Sequence, residues 1–167
     1  MEVDTVQLLF LLSLLTGPYV LLTLLGRAAA FKTAPSVRAK VGLSLFFGFT
    51  AVGHFIRTEE MSAMLPLSVP YRLEIVYLTG ILELLGAIGV WLPGLTRLTG
   101  ICLIVMLIAF LPANIYSALH HVDFGGHGSG PIYLLVRVPF QLLVAGWTYW
   151  ATEQRWFDKL APASIDV

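Results

Sequence analysis

The chain has 167 residues, 57% of them hydrophobic and 12% charged; a soluble domain carries roughly 25% charged residues. Its ten basic and ten acidic residues balance to zero net charge, which removes the electrostatic basis for a nucleic-acid partner. The lone cysteine, Cys102, excludes an internal disulfide or a C-x-x-C redox pair and reads as a small buried hydrophobe.

Five apolar segments follow one another, and a membrane-spanning helix needs about 20 mostly apolar residues. Residues 5–26 carry no charge. Glu2 and Asp4 precede them where a secretory signal would be basic, so this segment reads as a retained helix despite the cleavage-like Ala28-Ala29-Ala30. Residues 41–56 are also uncharged but short, spanning about 24 Å as a helix, so they require flanking residues or local thinning. Residues 75–92 carry one charge, Glu83. Residues 98–119 carry none, and residues 132–152 carry only Arg137. The expected architecture is an all-α polytopic membrane bundle. It divides into an N-terminal spanning helix with a basic loop (1–40), a four-helix core (41–152) and a tail (153–167).

Loop charges set the orientation. With five spans, Arg27, Lys32, Arg38, Lys40, Arg97, Arg155 and Lys159 share one side. Most acids lie on the other, which places the N-terminus outside and the C-terminus in the cytoplasm. Residues 57–72 hold Met61, Met64, Leu65, Leu67 and Val69, broken by Pro66 and Pro70, and read as an amphipathic stretch on the outer membrane face. Residues 120–131 are rich in Gly and His and must be irregular. Gly80, Gly86 and Gly89, with Gly42, Ser44, Gly48 and Ala51, predict close helix contacts. Pro18, Pro112 and Pro139 fall within spans, each leaving a backbone carbonyl without its usual partner.

Five polar residues occupy the spans: His54, Glu83, Asn114, Arg137 and Gln141. Counted from the outer helix ends they lie at depths of about 5, 13, 9, 9 and 15 Å respectively, so four helices converge on the outer half of the bilayer. An isolated charge at the centre of a spanning helix costs about 2.5–3.5 kcal/mol on insertion scales. Glu83 and Arg137 therefore pair, directly or through Gln141 or a water. Three readings stay open. The pair is structural and fixes helix order; the cluster lines a polar cavity for a small molecule or quinone head group; or it relays protons. His54 reads as a hydrogen-bonded residue before a metal or haem ligand. Asn114 is placed to satisfy the carbonyl freed by Pro112. His120, His121, Asp123 and His127 offer zinc- or copper-type donors, but their spacing matches no closed metal site. No phosphate loop, zincin motif or nucleophile elbow is present.

Several of these pieces together resemble the DoxX-like family of small membrane proteins. They are Gly53-His54-Phe55; Met64-Leu65-Pro66 with Val69-Pro70; the stretch from Tyr77 through Glu83 to Gly86; Pro112-Ala113-Asn114-Ile115-Tyr116; and Arg137-Val138-Pro139-Phe140-Gln141. The resemblance covers about residues 40–152 and implies a four-helix core, with the first helix an addition. The family takes its name from a subunit of thiosulfate:quinone oxidoreductase, and other relatives act in redox and detoxification complexes or as assembly factors. The resemblance thus implies a membrane component of a redox system in a bacterial cytoplasmic membrane. Its expected associates are lipid, a quinone or other small ligand, partner redox subunits and further copies of itself. A non-enzymatic scaffold or assembly factor is the alternative. A small transporter is a weaker one, since no inverted repeat is visible.

Overall fold

A computed structural model describes residues 2–28 and 33–153. Among them the elements are helices α1 (Glu2–Ala28), α2 (Pro35–Ile56), α3 (Thr58–Ser62), α4 (Arg72–Gly89) and α5 (Thr96–Leu119), a 3-10 segment (His127–Tyr133), and α6 (Leu134–Thr152). No strand occurs among the described residues. Among the described residues four helices are long and apolar enough to cross a membrane: Val6–Arg27, Pro35–Ile56, Thr96–Leu119 and His127–Thr152. Residues 154–167 of the C-terminal tail, with Arg155 and Lys159, lie outside the described residues, as do Lys32 and most of the Ala28–Ala30 run.

α2 is longer than its uncharged stretch. Pro35 takes the first helical position, where its missing N–H goes unused, and the helix runs 22 residues. At 1.5 Å per residue that is about 33 Å, so no thinning of the bilayer is needed. Arg38 and Lys40 consequently sit on the helix rather than in the loop. Arg38 donates to the Thr33 side chain and carbonyl and to Thr23 Oγ1 on α1, holding the two helices together at this end.

Successive long helices run antiparallel. Phe10 meets Phe49 between α1 and α2. Ser44 donates to the Ala87 carbonyl and His54 to the Val76 carbonyl between α2 and α4. Gly86 abuts Leu103, and Gly89 abuts Thr99, between α4 and α5. Arg97 pairs with Glu153 at 3.0 Å between α5 and the end of α6. α2 is central: Phe46 meets Phe140, and Trp147 of α6 donates to the Ala39 carbonyl. The core gathers Leu11, Leu15, Leu43, Phe46, Phe47, Leu103 and Val144. Outside it, Ile108, Leu135 and Leu142 are 63%, 74% and 67% exposed. Apolar surface of this kind suits lipid, not water. Cys102 is on this apolar periphery, exposed, and not buried as its apolar run suggested.

α4 has 18 residues and contains Arg72, Glu74 and Glu83, three charges that set it apart from those four helices. It lies alongside α2 for its whole length all the same. Gly80 makes this possible, because a Cβ there would stand 2.7 Å from His54 Cβ.

The connection between α2 and α4 is helical only over Thr58–Ser62, followed by turns. It is tied down by Arg57, which pairs with Glu60 at 2.7 Å and lies 5.7 Å over the Phe124 ring of the α5–α6 connection. A backbone hydrogen bond at Glu60, followed by Arg57, holds the Glu60 carboxyl below the ordinary carboxylate range. Leu67 and Tyr71 of the same connection are 81% and 75% exposed.

Candidate functional site

The polar residues meet at the end of the bundle that carries the 57–71 and 120–126 connections. They form two groups. In the first, α2 and α4 bring His54 and Glu83 together, with Nε2 and Oε2 3.6 Å apart. Glu83 is 4% exposed and sits in the stretch of α4 that carries no other charge after Glu74. Its Oε2 has no hydrogen-bond partner. The Thr50 hydroxyl also interacts with the carboxyl.

The other face of the imidazole fixes its tautomer. His54 Nδ1 lies 3.0 Å from the Val76 carbonyl, which can only accept, so Nδ1 carries the proton. Thr79 Oγ1, also 3.0 Å from Nδ1, commits its own hydrogen to the Ile75 or Val76 carbonyl and accepts as well. In the neutral ring Nε2 is then an acceptor, and it faces a carboxyl oxygen that is also an acceptor when ionised.

In the second group, Asn114 of α5 is the hub. Its Oδ1 accepts from Arg137 Nε at 3.3 Å and lies 3.1 Å from His127 Nε2. Its Nδ2 reaches Gln141 Oε1 at 3.3 Å and the Phe110 carbonyl at 3.1 Å. Gln141 Nε2 donates to the Leu107 carbonyl. The carbonyls engaged are those of Phe110 and Leu107, not that of Ile108, which Pro112 strips of its helical donor. The expected role of Asn114 therefore shifts from repairing the proline to joining α5, the 3-10 segment and α6.

The two groups face each other without touching. Glu83 and Arg137 are within electrostatic range of each other, but the near contact of Glu83 is with His54, and Arg137 bonds to Asn114. The direct Glu83–Arg137 pair expected from their opposite charges does not form, because Asn114 holds the guanidinium Nε on the α5 side. Carboxylate and guanidinium lie more than 4 Å apart.

The three loop-region histidines separate. His120 is exposed and stacks on Tyr116 at 4.0 Å; His121 is exposed and bonds to the Gly128 carbonyl. His127 turns inward and is 2% exposed. Gly126, at φ 94°, makes that turn, and a Cβ there would strike the Tyr133 ring. Among the described residues no group of three His, Cys, Asp or Glu side chains is placed to hold a metal ion. His127 joins the cluster although its loop position suggested only surface chemistry. The Gly125-Gly126 pair beside it was the available signal for a chain reversal.

A family model described as Domain of unknown function (DUF8561) matches residues 43–152, well over half of the chain. That segment contains every residue of both polar groups and omits α1. No curated protein and no solved structure matches the chain.

Proposed function

We propose that this chain, which belongs to the DUF8561 family, is a membrane component of a redox or quinone-linked system. Its pocket takes the polar head group of a small membrane-soluble ligand between Glu83 and Arg137. One observation carries this reading: a carboxyl oxygen buried among apolar helices with no hydrogen-bond partner. Such an atom is costly to leave unsatisfied and calls for a partner that binds there. The guanidinium across the gap supplies the complementary donor.

In this reading α4 is a fifth span, supported by its antiparallel alignment with α2. The site then lies in the outer half of a bacterial cytoplasmic membrane, with the N-terminus outside and the C-terminus in the cytoplasm. The DoxX-like resemblance of residues 40–152 supports the redox assignment, and the exposed apolar periphery would receive partner subunits or further copies of the chain.

The test is thermal unfolding in lipid nanodiscs with a short-chain quinone added. A ligand at 100 times its Kd stabilises the native state by about 2.7 kcal/mol. A concentration-dependent rise in Tm is expected for the wild type and none for Glu83→Gln. An equal rise in both would remove Glu83 from the site. No rise in either would argue for the second reading, a scaffold or assembly factor. That alternative draws on the self-contained bonding of Asn114, Gln141, Arg137 and His127, which needs no ligand.

A further inference from the structure

We infer that the groove between α3 and the start of α4 binds one phospholipid of the surrounding bilayer, selecting a head group that joins a phosphate to a primary ammonium. This site is separate from Glu83 and does not rest on the reading above. α2 is long and apolar enough to cross a membrane and ends at Ile56. The chain then turns charged, with Arg57, Glu59 and Glu60 on one side of the connection and Arg72 and Glu74 on the other. Charges are expelled from the hydrocarbon, so this level is that of the lipid head groups. The groove measures about 590 Å³, and Glu59, Ser62, Arg72 and Glu74 line it together with Leu67 and Leu73. Small-molecule sites fall in the range of about 300–1,000 Å³.

The charges in the groove are uncommitted. Glu60, beside Glu59, is taken by Arg57 at 2.7 Å. Glu59, Arg72 and Glu74 have no ion-pair partner among the described residues. Arg72 and Glu74 stand two apart on α4, a spacing at which helix side chains do not face each other. The forked donors of a guanidinium match phosphate oxygens. A primary ammonium brings three N–H donors to carboxylates, which only accept. The Ser62 hydroxyl gives its hydrogen to the Glu59 carbonyl and keeps a lone pair for the same group. A trimethylammonium group has no N–H to offer, and two carboxylates against one guanidinium repel a purely anionic head group. The ligand is a lipid because its chains have a track. Leu73 lines the groove, and Leu73, Tyr77, Ile81 and Leu84 are all exposed. They recur every three or four residues and so form one apolar stripe running from the groove down α4.

Ion pairs at an open site are modest, so the expected selectivity is about fivefold. The experiment is native mass spectrometry of the full chain released from nanodiscs of equal parts phosphatidylethanolamine, phosphatidylcholine and phosphatidylglycerol. The expected result is one phosphatidylethanolamine retained per chain in preference to either other lipid. The double variant Glu59→Gln, Glu74→Gln loses the preference over phosphatidylcholine. Arg72→Gln lowers retention of both zwitterionic lipids. Arg97→Gln removes a cation that pairs with Glu153 away from the groove, and it keeps the wild-type pattern. Equal retention of the three lipids, a preference for either of the others, or an unaltered preference in the double variant would overturn the inference. Displacement of the lipid by excess glycerophosphoethanolamine would overturn it too, assigning the groove to a soluble phosphoester. None of the three groove residues has an ion pair to lose, and the wild-type ratios decide the matter even where a variant fails to fold.

Discussion

Replacing Asn114 with leucine is expected to destabilise the bundle more than any other single polar-to-apolar change in the cluster. Leucine is close in volume and suits a membrane helix, so the loss reports the hydrogen bonds. Asn114 joins His127, Arg137 and Gln141, which lie on the 3-10 segment and α6. Interhelical hydrogen bonds in membranes average about 0.6 kcal/mol and reach about 1.7. Three such contacts therefore represent about 2–5 kcal/mol, the upper part applying because the Arg137 charge is left without its acceptor. Unfolding of the nanodisc-embedded variant, followed by circular dichroism, measures this. A change below about 0.5 kcal/mol would mean that the partners find other groups and that Asn114 is not the hub.

The second large effect is expected at Gly80. In an isolated helix Gly→Ala stabilises, by about 1 kcal/mol. Here the added Cβ would stand 2.7 Å from His54 Cβ and 3.3 Å from Phe55 Cε2, so α2 and α4 must separate. Overpacking of that kind costs about 1–3 kcal/mol, which outweighs the gain in propensity. The shift falls on the segment that carries His54, so Gly80→Ala is expected to lose ligand-induced stabilisation as well as Tm. Gly48→Ala serves as the control. It lies on α2 with no atom near its Cβ, and it should leave binding unchanged and Tm equal or higher. Identical behaviour of the two variants would mean that the close approach of α2 and α4 does not govern the site.

Much of the architecture is legible in the residues. Runs of apolar side chains longer than a soluble core requires mark α1, α2, α5 and α6. The small residues that allow close approach, Gly42, Gly80 and Gly86, are placed where the helices meet. The cluster is legible too, because polar groups at matching depths on successive antiparallel helices must face a common level. Boundaries read less well. Counting uncharged residues clips α2, since Arg38 is accommodated on a helix by hydrogen bonds to Thr23 and Thr33.

Pairing inside the cluster was the hardest to read. Opposite charge predicts that Glu83 and Arg137 pair, directly or through Gln141 or a water; the direct pair does not form, because contacts are settled by side-chain reach and by neutral competitors. Asn114 Oδ1 accepts from the guanidinium Nε, and His54 faces Glu83 from the adjacent helix. Nothing in the spacing of the chain encodes that choice. His127 escaped for a related reason: its inward turn depends on the left-handed backbone of Gly126, a local reversal that hydropathy does not register. Cys102 went the other way, since an apolar neighbourhood in sequence does not distinguish the core from the lipid-facing side of a membrane helix.

The central claim is that the gap between Glu83 and Arg137 holds a small ligand drawn from the membrane. Native mass spectrometry of the protein released from nanodiscs made with its host lipids tests this most directly. The expected spectrum shows a stoichiometric added mass in the quinone range on the wild type, absent from Glu83→Gln and retained in Glu83→Asp. A wild-type protein carrying only phospholipid, with a spectrum indistinguishable from that of Glu83→Gln, would contradict the account and leave the cluster a structural joint between helices.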